Sequence, residues 1–193
     1  MNLPNKLTVF RVILIVPFVV LLLGGFQQWG WFTTLFSGIL PYTDYIAVGI
    51  FIVASLTDLL DGKIARKYNL VTDFGKFMDP LADKLLVSSA MICLVSLNRI
   101  PAWVVIVIIS REFIISGFRL VASDAGVVIA ASWWGKIKTV VQMIMVIVLI
   151  LSIHNPVVAV IEQILIYLAL VLTVVSLLDY LIKNWKVMDD GKM

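Results

Sequence analysis

Long apolar runs alternate with short polar connections along the whole chain. Six runs can be drawn, approximately over residues 9–26, 43–61, 80–98, 100–119, 137–153 and 157–182. Runs of this length cross a hydrocarbon core of about 30 Å. In lipid every backbone N–H and C=O must be paired within the protein, so each run is predicted as a helix rather than an isolated strand. No repeat, low-complexity tract or linker divides the chain. The pattern predicts an all-α integral membrane protein: one domain over 1–193, with six transmembrane helices and a polar cavity facing the cytoplasm. The first run ends in LLLGGFQQWGW, which lacks a small-x-small cleavage site, so it is expected to be retained as a span.

Composition strengthens this picture. Hydrophobic residues make up 62% and charged residues 14%, where a soluble domain carries about a quarter charged. The net charge of +3 arises without a basic stripe interleaved with aromatics, so no nucleic-acid partner is expected. The basic residues instead fall on one side of the runs. Lys6 and Arg11 open the first, and Lys63, Arg66, Lys67 and Lys76 lie between the second and third. Arg119, Lys136 and Lys138 flank the fourth-to-fifth connection, and Lys183, Lys186 and Lys192 follow the sixth. The opposite connections hold little beyond Arg99, and residues 27–44 contain aromatics but no Lys or Arg. Both termini are therefore expected in the cytoplasm, with the protein multi-pass in the cell membrane. Cys93 is expected as a small core residue and His154 as a loop residue.

Against this background the stretch SLTDLLDGKIARKYNLVTDFGKFMDPLADKLL, residues 55–86, is anomalous. Asp58 is expected roughly 20 Å along the second span, at its cytoplasmic part, with Asp61 at i+3 on the same face. The chain is expected to turn through KYNLVTDFGKF; Asp79 then opens the third span, with Pro80 in its first turn and Asp83 at i+4. Four carboxylates brought together cannot all ionise without cations. Oxygen-only ligands suit two hard divalent ions, Mg²⁺ or Mn²⁺, and a metal pair of that kind clamps a phosphate. Gly62 and Ala65 keep the helix face open beside these aspartates, and Arg66 adds a guanidinium fork suited to phosphate. The competing reading is structural pairing of the aspartates with Lys63, Arg66, Lys67, Lys76 and Lys84. Four acids at these spacings on consecutive spans favour a functional site.

These residues read D-x2-D-G-x2-A-R-x8-G-x3-D-x3-D, through Asp58, Asp61, Gly62, Ala65, Arg66, Gly75, Asp79 and Asp83, without departure. The stretch resembles the signature of the CDP-alcohol phosphatidyltransferase family, and six spans with the motif across the second and third resemble its architecture. The resemblance implies metal-dependent transfer of a phosphatidyl group from CDP-diacylglycerol to an alcohol, releasing CMP. It implies that Asp58, Asp61 and Asp79 hold two metals, with Asp83 the general base and a further metal contact. It also implies that Gly62, Ala65, Arg66, Thr72 and Gly75 line the CDP-lipid site. Residues 1–8 resemble the family's amphipathic entry segment, whose Asn5 and Thr8 would contact the nucleotide; Arg11 completes N-x2-T-x2-R. Homodimerisation through apolar span faces is a further implication.

The acceptor is sought in SREFIISGFR, residues 110–119. Arg111 and Arg119 are eight apart, about 80° offset on a helix, and can lean toward one cavity. Glu112 could orient a partner, and Lys136 opens the fifth span. Two arginines and a lysine without a matching acid cluster suggest an acceptor carrying its own phosphate. The pattern resembles the glycerophosphate-accepting branch of the family, which implies sn-glycerol 3-phosphate. The alternatives are another acceptor (inositol phosphate or serine) or, from a different class, a divalent-cation transporter. The latter would call for midplane charges and interrupted helices in two halves, and neither is evident.

Overall fold

The computed structural model describes residues 3–26, 29–67, 73–124 and 132–184. Among these residues all regular secondary structure is helical: α1 (Leu3–Phe26), the short α2 (Gly30–Leu35), a 3₁₀ turn (Ser37–Tyr42), α3 (Thr43–Lys67), α4 (Asp73–Ser96), α5 (Ala102–Asp124), α6 (Trp133–Leu151) and α7 (Pro156–Lys183). Each of the six expected runs falls in one of the six long helices. Among the described residues, four segments are long and apolar enough to cross a membrane: Asn5–Gly24, Ser37–Thr57, Trp133–Leu151 and Pro156–Lys183. Helices α4 and α5 carry more charge, from Asp79, Asp83 and Lys84 and from Arg111, Glu112 and Arg119.

The polar connections are more helical than expected. The connection over residues 27–44 holds α2 and the 3₁₀ turn among its described residues. Helix α3 runs on past Gly62 to Lys67, and α4 starts at Asp73, inside the expected turn. Asp79 and Pro80 therefore sit two turns into α4 rather than opening it. A helix that continues beyond the apolar core still satisfies its own backbone, so the fall in hydropathy does not end it. Helix α1 likewise begins at Leu3, absorbing the entry segment.

The chain forms two compact units, residues 1–99 with 149–152, and residues 100–148 with 153–193. In the first, α1 packs against α3 and α4, and α3 against α4. The buried face of α1 runs through Asn5, Thr8, Arg11, Phe18 and Leu22, polar at the start and apolar afterwards. Phe18 meets Phe51 of α3 with ring centroids 6.1 Å apart. Cys93 is buried among the apolar residues of α4, as expected. At Gly24, an added Cβ would lie 2.9 Å from Cγ of the buried Phe32 of α2. Only a bare backbone admits that ring.

Helix α4 ends in a Schellman turn. Asn98 takes φ 57°, its N–H bonds to the Val95 carbonyl at 3.0 Å, and the Arg99 N–H bonds to the Leu94 carbonyl at 2.9 Å. Arg99 then donates through Nη1 to the carbonyls of Leu149 (3.2 Å) and Ile150 (2.8 Å), and through Nη2 to Asp44 (2.9 Å). A cation thus caps the negative end of α6 and an acid lies in the first turn of α3, both favoured by the helix dipole.

In the second unit α7 packs on α5. Asn155 caps α7, accepting from the Val157 N–H at 2.8 Å, with Pro156 at the first helical position. His154 is exposed in the connection before it, as expected. The outward faces of the helices carry large apolar residues such as Ile182 (75% exposed), Trp133 (70%) and Val157 (67%). Water would not support such a surface and lipid does; this is a membrane protein.

Candidate functional site

The candidate residues fall in two places. The first lies on α1, α3 and α4. Asp58, Asp61, Gly62, Ala65 and Arg66 occupy the last turns of α3, while Gly75, Asp79 and Asp83 occupy the first three turns of α4. The i+3 and i+4 spacings keep each pair on one helix face, and the two helices pack together. Of these residues Asp83 has a described side chain, and it is half-buried. The side chains of Asp58, Asp61, Gly62, Ala65, Arg66, Gly75 and Asp79 lie outside the described residues, as does Thr72 entirely.

Packed against α3 and α4, α1 presents Asn5, Thr8 and Arg11 at intervals of three, all buried. The N-x2-T-x2-R pattern thus forms one polar stripe along a helix face. Arg11 is fully buried, and a guanidinium is held that deep only where charge and hydrogen bonds compensate it.

The second place is the polar interior of the other unit. The buried stripe of α5 runs Val104, Ile108, Arg111, Ile115 and Ala122, that of α6 begins Lys138 and Gln142, and that of α7 ends Thr173, Ser176 and Tyr180. Arg111 Nη1 donates to Glu112 Oε1 at 2.9 Å, and its Nη2 donates to Ser176 Oγ at 2.8 Å. The Lys138 ammonium pairs with the same Glu112 oxygen. Arg119 is half-buried, with its guanidinium carbon 5.7 Å from the centre of the Tyr180 ring. Nε of both Arg111 and Arg119 is buried without a hydrogen-bond partner among the described residues.

Beside Arg111 begins α6. Ser132 Oγ accepts from the Gly135 N–H at 3.2 Å, and a Cβ on Gly135 would stand 3.6 Å from Arg111 Nη2. The guanidinium therefore lies against a glycine in the first turn of a helix, an end where anions are favoured.

On α5 Arg111 is buried and Arg119 half-buried, and the pairing of Arg111 with Glu112 that the sequence allowed is present. Lys136 differs: it is exposed in the first turn of α6, while Lys138 turns inward to Glu112. Two residues advance a helix by about 200°, so only one of these lysines can face inward. Ser176 and Tyr180 carried no motif and were not expected. Their only sequence signal is a polar i, i+4 pair near the end of an apolar run that also holds Thr173 and Asp179.

An aspartate signature spread over α3 and α4, in a helical membrane protein, leads to the comparison with known families. The chain belongs to the CDP-alcohol phosphatidyltransferase family, whose sequence model matches residues 1–175. It is 48% identical over 189 residues to the CDP-diacylglycerol–glycerol-3-phosphate 3-phosphatidyltransferase of Bacillus subtilis, covering 96% of each chain. Proteins of the same name from Haemophilus influenzae and Rickettsia typhi are 38% and 35% identical; each match covers 93% of this chain, and 91% and 94% of theirs.

Proposed function

We infer that this protein transfers the phosphatidyl group of CDP-diacylglycerol to sn-glycerol 3-phosphate, giving phosphatidylglycerophosphate and CMP. The observation that carries this reading is a complete aspartate signature on α3 and α4 in a chain whose α5 interior is cationic. The similarity to enzymes named for this reaction, over nearly their full length, supports the choice of acceptor.

Asp58, Asp61, Asp79 and Asp83 would hold two divalent ions, Mg²⁺ or Mn²⁺, which supply positive charge to the diphosphate and to departing CMP. Asn5, Thr8, Gly62, Ala65, Arg66, Thr72 and Gly75 bind the CDP-lipid. Arg111 and Arg119 take the acceptor's phosphate; Lys136, exposed on the outer side of α6, is left out of that site. Asp83 accepts the proton of the acceptor hydroxyl as its oxygen forms a bond to the lipid-linked phosphorus and the bond to CMP breaks. No Ser, Cys or His nucleophile stands in the signature, so transfer is a single displacement. All six long helices span the membrane, with the aspartates at headgroup level on the cytoplasmic side and both termini cytoplasmic. Two copies associate through apolar helix faces.

The test is CMP release from CDP-diacylglycerol with a panel of acceptors. Turnover is expected with sn-glycerol 3-phosphate and not with serine or inositol phosphate. Asp83→Asn should abolish it while the thermal midpoint stays within a few degrees. Turnover with another panel member and none with glycerol 3-phosphate would refute the acceptor.

A further inference from the structure

An arginine on a transmembrane helix binds an anion well only if its long side chain is held before the anion arrives. Ordering such a chain costs about 1–2 kcal/mol of rotamer entropy. On α5 the two arginines are held from α7, by two residues one turn apart. Ser176 Oγ donates its hydrogen to the Thr173 carbonyl (3.1 Å), which leaves the oxygen as an acceptor for Arg111 Nη2 (2.8 Å). The polarity of that contact is thereby set. Glu112 takes Nη1 of the same guanidinium, so both terminal nitrogens are anchored and Nε is left.

Tyr180, four residues on and 3% exposed, lies beneath Arg119 in cation–π range. Phe118 braces that ring edge-on, with centroids 5.6 Å apart and planes at 85°. Arg119 too has its Nε without a partner among the described residues. Arg111, Arg119 and Lys138 against Glu112 leave an excess of two positive charges, which matches a phosphate monoester dianion. Ser176 and Tyr180 lie just past residues 1–175, so the family match assigns them nothing.

We propose that Ser176 and Tyr180 are positioning residues for acceptor recognition: Ser176 presets Arg111 and Tyr180 presets Arg119, without touching the acceptor. This rests on the reading of Arg111 and Arg119 as the acceptor-phosphate arginines. Ser176→Ala and Tyr180→Leu should each raise the apparent KM for glycerol 3-phosphate about tenfold. Their kcat and their KM for CDP-diacylglycerol should stay within about twofold. Ser176→Thr, which keeps the hydroxyl, and Tyr180→Phe, which keeps the ring, should restore the KM. A merely structural role would lower thermal stability and raise both KM values together.

Arg111→Ala and Arg119→Ala, measured alongside, separate the two ways of failing. If they raise the KM for glycerol 3-phosphate while Ser176→Ala and Tyr180→Leu do not, the positioning role is refuted and the acceptor site stands. If the arginine variants leave that KM unchanged, the acceptor site is refuted and the positioning role with it. Tyr180→Phe as impaired as Tyr180→Leu would refute the role of the ring.

Discussion

Glu112 meets two cations through one oxygen, in an interior that otherwise carries positive charge. Its removal leaves Arg111 and Lys138 buried without their acid, a larger loss than the pair contributes when intact. Glu112→Gln is therefore expected to destabilise the protein by on the order of 3 kcal/mol, read from thermal unfolding in detergent. Adding Lys138→Met should recover part of that loss, since the second change removes one of the stranded charges. Strict additivity of the two would show that they do not interact. The choice of Lys138 over Lys136 is not legible in the sequence. Both are basic residues at the start of the same apolar run, and helix rotation alone decides which turns in. The arginines are legible because SREFIISGFR sets two fixed cations inside an apolar segment.

Where α1 hands over to α2, the limit is contact between backbone and ring. Gly24→Ala would put a methyl 2.9 Å from the Phe32 ring, and either the ring or the turn must yield. The expected cost is about 1–3 kcal/mol, recovered in part by Phe32→Leu; a neutral Gly24→Ala in thermal unfolding would contradict this packing. Nothing in GGFQQWGWF announces which of its two leading glycines receives a ring, since the choice depends on how the chain folds back. The long helices are legible through their apolar runs, but their ends are not. Hydropathy falls at Asp61 and rises again near Pro80, yet the helices run to Lys67 and restart at Asp73. Hydropathy follows the lipid boundary, while helix length follows backbone pairing and propensity.

Taken whole, the molecule inverts the partition of a soluble protein. Isoleucine, valine and leucine cover its outward faces, while Arg11, Arg111, Lys138, Gln142 and Thr173 are buried. Burying such groups is sustainable only with partners, and leaving that apolar cover exposed is sustainable only in lipid. The protein should accordingly stay in the pellet when membranes are washed with alkaline carbonate and be released by detergent. Release by carbonate alone would contradict a spanning arrangement. The lipid environment is legible from composition, because a chain with 62% hydrophobic residues has too few polar ones to cover it in water.

Arg99 stands out as a lone basic residue in connections otherwise without Lys or Arg. Its clasp joins Asp44, 55 residues upstream, to carbonyls 50 and 51 residues downstream. Contacts of such long sequence separation pay their loop-closure entropy late in assembly. A chain emerging from synthesis holds the acid and the guanidinium long before it holds the third party. The clasp therefore closes only once α6 has been made in full, a latch that records completion of that helix rather than one that guides its start.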